Sequence, residues 1–450
     1  MVQEPESPEY RGARRIVERL AQDGYTALLA GGCVRDLLLG EEPKDYDIAT
    51  DARPETVESL FTRTRAIGKS FGVILVILDG CTYEVATFRS ESNYADGRHP
   101  DRVSFTGPRK DAQRRDFTIN GMFWNPLEDR VLDFVGGRED LENEVVRTIG
   151  DAEERFREDH LRLIRAVRFT ARLGFSLAPA TANSIKHLCG LINDVAAERL
   201  LQELKIILTD RHPADALRLM DELGLLTQIF PELEDARGCE QPKNYHPEGD
   251  VFVHTMLAVE KLGSYPDFEL ALATLLHDIG KPEASRRHGH MQFNRHSKIG
   301  EEIAADVCDR LRLSNSEKAR VCWLVRRHMY FRDARKMKDS TLKKLFAKPG
   351  FDQLAGIYRA DALASWGNLD AYHYVMDKRD SLTQEKIEPP KLIDGNDLIE
   401  RGYQPGPSFR KILSKVRDSQ LEGEVENRQQ ALKYAEKVAS DIGAPRRDAG

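Results

Sequence analysis

The stretch from Leu28 to Thr50 limits the fold of this chain more than any other. Leu28-Leu29-Ala30 is an apolar run ending in Gly31-Gly32, the pattern of a strand that meets a tight turn. Val34 to Leu39 reads as a helix stopped by Gly40 and Pro43. Asp45-Tyr46-Asp47 follows. In an extended segment, residues two apart point to one face, so both carboxylates aim at one spot. Their repulsion is relieved by a divalent cation. Oxygen ligands favour Mg2+, which keeps several waters and takes substrate phosphates as further ligands. The glycine turn at Gly32 offers backbone N–H groups to a phosphate, with Arg35 close by. Taken singly, the acidic pair also fits a solvated strand edge and the glycines an ordinary turn.

Joined in this order and spacing, these residues resemble the signature of the polymerase-beta-like nucleotidyltransferases, in the branch of class II CCA-adding enzymes and bacterial poly(A) polymerases. That resemblance implies an α+β chain. A mixed-sheet nucleotidyltransferase head over residues 1–150 would be followed by a mostly helical neck over 151–237. An HD metal-binding domain would cover 245–365 and a helical, RNA-gripping body and tail 366–450. It also implies that Asp45 and Asp47 hold Mg2+ and act on CTP and ATP.

Downstream of the acidic pair, Val73 to Leu78 is continuous and β-branched, as for a strand buried on both faces. Asp79-Gly80 is a hairpin turn signal, and Thr82 to Arg89 is the returning strand. That hairpin could bring Glu84 to the metal as a third carboxylate; its alternation equally fits a surface glutamate, and the resemblance favours the site. Ser90 to Arg109, with Gly97, Pro100, Gly107 and Pro108, reads as a long loop. Arg114-Arg115-Asp116-Phe117-Thr118-Ile119-Asn120 resembles the family's second motif. Two guanidinium groups suit a triphosphate, and the resemblance gives Asp116 and Asn120 the task of holding the ribose and ordering the site.

Glu158 to Phe169 reads as one amphipathic helix with Leu161, Ile164 and Val167 or Phe169 inward. Asp159 and Arg162, three apart, would form an intrahelical ion pair of little worth on a surface. By resemblance they are instead a protein template for the Watson–Crick edge of the incoming nucleotide, with Arg165 in the same binding set. Ala197 to Leu204 is strongly amphipathic, and Gly238 to Pro247 reads as a linker.

A second constellation comprises His254, the adjacent pair His277-Asp278 at the end of an apolar run, and Asp361. It resembles the ligand set of the HD phosphohydrolases. Imidazole with carboxylate suits manganese, nickel or iron, with magnesium admissible. His296 and His328 could serve a second ion or a phosphate. The C-terminal stretch from Gly395 resembles the family's body and tail, with one long helical stretch to Val438 and disorder after Gly443.

At 450 residues, the chain is too long for one core. Its longest aliphatic run, Val73 to Leu78, is too short to span a bilayer, so no membrane partner is expected. The polar, acidic start resembles no signal peptide. Six cysteines without a Cys-x-x-Cys pair point to reduced thiols in a cytoplasm and away from zinc knuckles. The net charge of −7 hides basic clusters at Arg109–Arg115, Arg286–Lys298 and Arg326–Lys338, which fit solvated faces or a phosphate-backbone track. The expected function is CCA addition to tRNA, with phosphohydrolase chemistry open to the HD segment. Gly68-Lys69-Ser70-Phe71-Gly72 resembles the CCA-adding version of its motif, against the rival of a poly(A) polymerase or A-adding enzyme. The intact loop from Ser90 to Phe105 weighs against a CC-only enzyme. The remaining rival is an HD phosphohydrolase with a vestigial transferase half. Oligomeric state is not legible.

Overall fold

The computed structural model describes residues 4–68, 72–94, 100–242, 244, 246–247 and 249–446. Residues 69–71 of the Gly68–Gly72 motif and 95–99 of the expected loop lie outside them. The chain forms two compact units, one reaching to Glu234 and including Arg310–Arg312, the other comprising the rest from Asp235.

The first unit opens with a helix, Pro8–Gln22, whose Ser7 side chain accepts from Tyr10 N and whose proline sits in the first turn. Its Ile16, Val17 and Leu20 are fully buried. The strands are β1 (Ala27–Ala30), β2 (Asp47–Thr50), β3 (Thr64–Gly68), β4 (Val73–Leu78), β5 (Cys81–Thr87), β6 (Arg89–Tyr94), β7 (Pro100–Phe105), β8 (Phe123–Asn125) and β9 (Arg130–Leu132). Seven of them make one sheet in the order β3-β4-β5-β2-β1-β8-β9. The β2/β5 pair is parallel and the other pairs are antiparallel, so the sheet is mixed. Leu28, Ala30, Ala49, Phe88, Ala112 and Phe123 form a core on one face, with the Phe88 and Phe123 rings edge to face at 5.7 Å. Truncating either ring would cost about 3–5 kcal/mol.

Two expectations about strands change. β4 buries one face only: Ile74 and Val76 are inaccessible, while Val73, Leu75 and Ile77 are partly covered. Within the expected long loop from Ser90 to Arg109, the described residues form two antiparallel strands, β6 paired with β7 from Arg89↔Phe105 to Tyr94↔Pro100. They are followed by the helix Pro108–Gln113. The two segments pair with each other outside the main sheet, and their polar composition concealed the pairing.

Helices Ala152–Glu158, Arg162–Leu173, Pro179–Leu188, Ala197–Leu208 and Pro213–Glu222 follow in this unit, with shorter helices at Pro54–Leu60, Gly137–Glu142 and Leu225–Ile229. The single expected helix across 158–169 is broken at Asp159, whose φ of −142° and ψ of 105° are extended.

In the second unit, Val251–Lys261, Phe268–Leu276, His296–Arg310, Asn315–Arg327 and Phe351–Ala364 carry the histidines and aspartates of the HD segment. Beyond them, Pro407–Glu422 and Arg428–Asp441 pack around Ile412, Val416, Ala431, Ala435 and Val438. The expected single C-terminal helix is therefore two, separated at Gly423, which has φ +83°. Order also extends past Gly443: Gln404 N donates to Pro445 O at 3.0 Å. No helix among the described residues is long and apolar enough to cross a membrane.

Candidate active site

β1 runs into Gly31, whose φ of +76° and ψ of −128° turn the chain into the helix Gly32–Leu38. The positive φ requires glycine at Gly31, and a Cβ there would lie 2.8 Å from Arg115 Nη1 and push that guanidinium aside. This turn borders a cavity of about 550 Å3. Eight arginines line it (35, 89, 114, 115, 162, 165, 168 and 172) against four acids, Asp47, Glu84, Asp116 and Asp159. The excess of cationic groups suits a polyanion.

Asp47 and Glu84 reach the cavity from neighbouring strands. The parallel register pairs Ile48 with Val85, so the preceding residues, Asp47 and Glu84, also lie side by side and share a face. Asp47 is exposed to the cavity, with protein atoms packed closely around it. Burial, then the Glu84 carboxylate, push its pKa up to about 6; Arg115 opposes them and Asp45 adds to them. Crowded carboxylates of this kind fit a hard divalent ion such as Mg2+. Asp45 does not line the cavity and is exposed. It precedes the first ladder residue of β2, so strand pairing does not fix its direction. Its charge nevertheless acts on Asp47, so the two carboxylates of the expected pair are near neighbours, with Asp47 the one that borders the cavity.

The second motif is braced from within. Arg114 donates Nε and Nη2 to Asp111 Oδ1 at 2.9 and 2.8 Å. Arg115 Nη2 lies 3.2 Å from Asp111 Oδ2, and its Nη1 donates to Asn120 O at 3.3 Å. Burial opposes ionisation of Asp111, but Arg114 and Arg115 hold it below its ordinary value. Arg165 donates Nε and Nη2 to Asp116 Oδ2 at 3.0 and 2.6 Å, while Phe117 N and Asn120 Nδ2 donate to Oδ1. Burial raises the Asp116 pKa, but these partners, Arg165 foremost, bring it down to about 2. Arg35, 3% exposed, donates to Asp36 Oδ1 and, through Nη1, to Asn120 Oδ1 at 2.7 Å.

Asp159 and Arg162 both border the cavity; Arg162 N donates to Asp159 O at 3.0 Å, but their side chains bond to other partners. Arg162 donates Nη1 to Arg155 O at 3.0 Å and Glu158 Oε2 at 2.7 Å, and Nη2 to Arg114 O at 3.0 Å. Asp159 accepts a fork from Arg199, Nη1 to Oδ1 at 3.1 Å and Nη2 to Oδ2 at 3.0 Å. The intrahelical pair is overturned because Asp159 lies in the break before the second helix. Arg199 was not legible as a site residue, since its partner lies forty residues away. Arg168 and Arg172 were missed too; with Arg165 their spacing puts them on one helical face, a signal present in the sequence.

The HD histidines and aspartates lie together. His254 Nε2 is 3.3 Å from His277 Nε2 and 3.1 Å from Asp361 Oδ1. His277 Nε2 is 3.2 Å from Asp278 Oδ2. The other oxygen, Asp278 Oδ1, is 3.5 Å from His296 Nε2 and 3.6 Å from His328 Nε2. Nδ1 of His277, His296 and His328 each donates to a backbone carbonyl, of Thr274, Phe293 and Val325. In the neutral rings Nε2 therefore carries the lone pair that a metal takes. Burial drives His328 down to about 3 and lowers His296. Although burial opposes it, His277 and Lys281 hold Asp278 well below the carboxylate range. Among the described residues, groups of three such side chains with ligand atoms within 4.8 Å of each other occur only here, His254–His277–Asp278 and Asp278–His296–His328. The donor set of imidazoles and carboxylates fits a divalent ion, which His254, His277, Asp278 and Asp361 would hold, with His296 and His328 beside the other Asp278 oxygen. A cavity of about 920 Å3 reaches Asp361 and His296; Lys281, Arg295, Arg332 and His246 also line it.

Comparison with known proteins gives these sites a setting. Residues 27–147 match the poly(A) polymerase head domain, 174–237 a probable RNA and SrmB-binding site of polymerase A, and 251–365 the HD domain. The CCA-adding enzyme of Bacillus pumilus is 43% identical over 219 residues, covering 48% of this chain and 54% of that protein. Poly(A) polymerase I of an Escherichia coli strain is 40% identical over 232 residues, covering 49% and 50%. The chain spans about half the length of the curated relatives it matches. The solved CCA-adding enzyme of Bacillus stearothermophilus, in complex with CTP, superposes with a TM-score of 0.72 at 28% identity, covering 97% of this chain and 99% of that one. The CCA-adding enzyme of Thermotoga maritima shares the fold at 20% identity, with a TM-score of 0.60 and coverage of 98% and 97%. Through its head, RNA-binding and HD segments, the chain belongs to the family of CCA-adding and poly(A) polymerase nucleotidyltransferases with an embedded HD domain.

Proposed function

We propose that this protein adds CCA to the 3′ ends of tRNA from CTP and ATP, without a nucleic-acid template. The observation that carries the reading is one cavity with carboxylates at Asp47 and Glu84, an arginine-rich wall, and a donor–acceptor pair at Arg162 and Asp159. In that reading the domains are a head over 1–150, a neck over 151–237, an HD domain over 245–365 and an RNA-gripping body and tail over 366–450. In the same reading the protein works in the cytoplasm, in keeping with its six unpaired cysteines.

Asp47 and Glu84, with Asp45 beside them, are the residues to hold Mg2+, which when bound favours deprotonation of the RNA 3′-hydroxyl and offsets charge on the leaving pyrophosphate. Arg114 and Arg115 face the triphosphate as fixed cations, their direction set by Asp111. Gly31 and Gly32 let the phosphates approach the backbone. Arg35, Asp116, Asn120 and Arg165 form the bonded frame that keeps the ribose end of the cavity in shape. Arg162 retains its Nε hydrogen and one on Nη2 for a base, and Asp159 Oδ2, which accepts only from Arg199, retains a lone pair. Cytosine N3 and adenine N1 accept from the guanidinium, and their amino groups donate to the carboxylate. Uracil and guanine present a ring N–H instead and leave a donor unpaired.

The test is purified protein with a tRNA lacking its 3′ end, and labelled CTP and ATP given singly and together. Two cytidines with CTP alone and one further adenosine with both support the reading. Runs of adenosine from ATP alone would overturn it in favour of poly(A) synthesis, the activity named for the Escherichia coli relative. A second reading, hydrolysis of a phosphoester by the HD segment with Mn2+, Ni2+, Fe2+ or Mg2+, is favoured by the Asp278 cluster beside its cationic cavity. Release of phosphate from nucleoside phosphates with each metal tests it.

A further inference from the structure

We infer that Arg199 is a positioning residue for nucleotide selection: its guanidinium fork fixes the plane and direction of the Asp159 carboxylate that reads the base. The inference rests on the nucleotide-selecting role proposed for Asp159.

Asp159 caps the helix Ala152–Glu158 with an extended backbone, its N–H bonded to Arg155 O and its C=O to Arg162 N, so the backbone is held while the side chain is not set by a helical position. A carboxylate there has free rotation about two side-chain bonds unless something holds it. Leu161 N donates to Oδ1 at 3.2 Å and fixes one oxygen. Arg199 engages both, at 3.1 and 3.0 Å, in the geometry that only a planar guanidinium supplies. The side chains of Arg199 and Asp159 are 26% and 21% exposed, so the pair is partly shielded from water. Asp159 borders the cavity and Arg199 does not, which separates the residue that touches the base from the one that aims it. The same helix, Ala197–Leu208, presents Glu203 one turn on. Glu203 Oε2 lies 2.9 Å from Arg168 Nη1, and Oε1 lies 3.7 Å from Arg165 Nη1. One helix thus holds an acceptor and two cations of the cavity wall, and it lies inside the segment matched to the RNA-binding model. Base selection is in this way tied to the position of an RNA-binding helix.

The test compares Arg199→Ala, Arg199→Lys and Asp159→Ala in single-nucleotide incorporation with CTP, ATP, UTP and GTP on tRNA acceptors. The expected result for Arg199→Ala is a loss of about tenfold or more in discrimination against UTP and GTP. Arg199→Lys, which keeps the charge without the fork, should lose discrimination to a smaller extent. A role in docking the helix alone would slow all four nucleotides by one factor. If Asp159→Ala shifts selectivity while both Arg199 variants keep it within twofold, this inference is overturned and the role of Asp159 stands. Unchanged selectivity in Asp159→Ala overturns both. Should Arg199→Ala fail to fold, Arg199→Lys decides by the same criterion.

Discussion

Replacing Asp116 with asparagine removes the charge at the centre of the cavity frame while keeping the shape of the side chain. The native carboxyl is shifted from 3.8 to about 2: burial raises it, and Arg165, Arg162 and the Phe117 N–H more than compensate. A folded-state value below the unfolded one means that ionised Asp116 stabilises the fold above pH 3.8 and that this contribution is lost as pH falls through 2. The full contribution is about 2.5 kcal/mol, of which about 1 kcal/mol is already gone at pH 3. The asparagine variant lacks it at every pH and also leaves Arg165 with only the more distant Glu203, a further cost of about 1.5–3 kcal/mol. Urea unfolding can be followed through buried Trp124, with Trp323 and Trp366 changed to phenylalanine so that the signal reports the head. Wild type should exceed the variant at pH 7, and the gap should narrow by about 1 kcal/mol at pH 3. A gap that stays flat across this range would refute the claim that Arg165 holds Asp116 ionised.

Asp47→Ala is expected to reduce nucleotide addition to background while the protein stays folded and binds tRNA; near-normal incorporation at saturating Mg2+ would remove Asp47 from the site. Asp278→Ala should abolish stoichiometric binding of Mn2+ or Ni2+ by titration calorimetry, together with any metal-dependent phosphoesterase activity, and leave CTP and ATP addition intact. Loss of addition in a variant with native circular dichroism would show that the two sites are not independent. Arg162→Ala should narrow the advantage of CTP and ATP over UTP and GTP by about tenfold to hundredfold, read from incorporation of each nucleotide; equal slowing of all four would make Arg162 a purely structural residue, bonded to Glu158 and Arg114.

Much of the molecule was legible where local rules and chemistry coincide. The Gly31 turn, the Asp79-Gly80 hairpin and the His277-Asp278 pair at a helix end all follow from short stretches whose residues answer to nearby neighbours. The misreadings share a cause of the opposite kind. Leu161, Ile164 and Val167 keep helical spacing across Arg162, so periodicity extended the helix backward through Asp159; the break is held by Arg199, which lies on another helix. Pro100 and Gly97 advertised a loop, but β6 and β7 satisfy each other's backbone groups, a pairing that polar sequences declare weakly. The C-terminal helix was read through Gly423 because a single glycine is tolerated in a helix; its positive φ, a property of the folded turn, is what ends it.

The alignment of Ile48 with Val85 makes the carboxylate pair of the head a matter of parity. Neighbouring strands can differ in alignment only by whole residues, and each step turns a side chain to the opposite side of the sheet. Glu84 is therefore either beside Asp47 or behind it, with no graded intermediate. Length changes at the Asp79-Gly80 tip leave that parity untouched, because β5 is anchored along its length by β4 and β2. One residue added between Glu84 and Val85 reverses it, whatever residue is chosen. Chains with this sheet can drift freely in the sequence of the hairpin tip, while the count of residues between Glu84 and the end of β5 is locked.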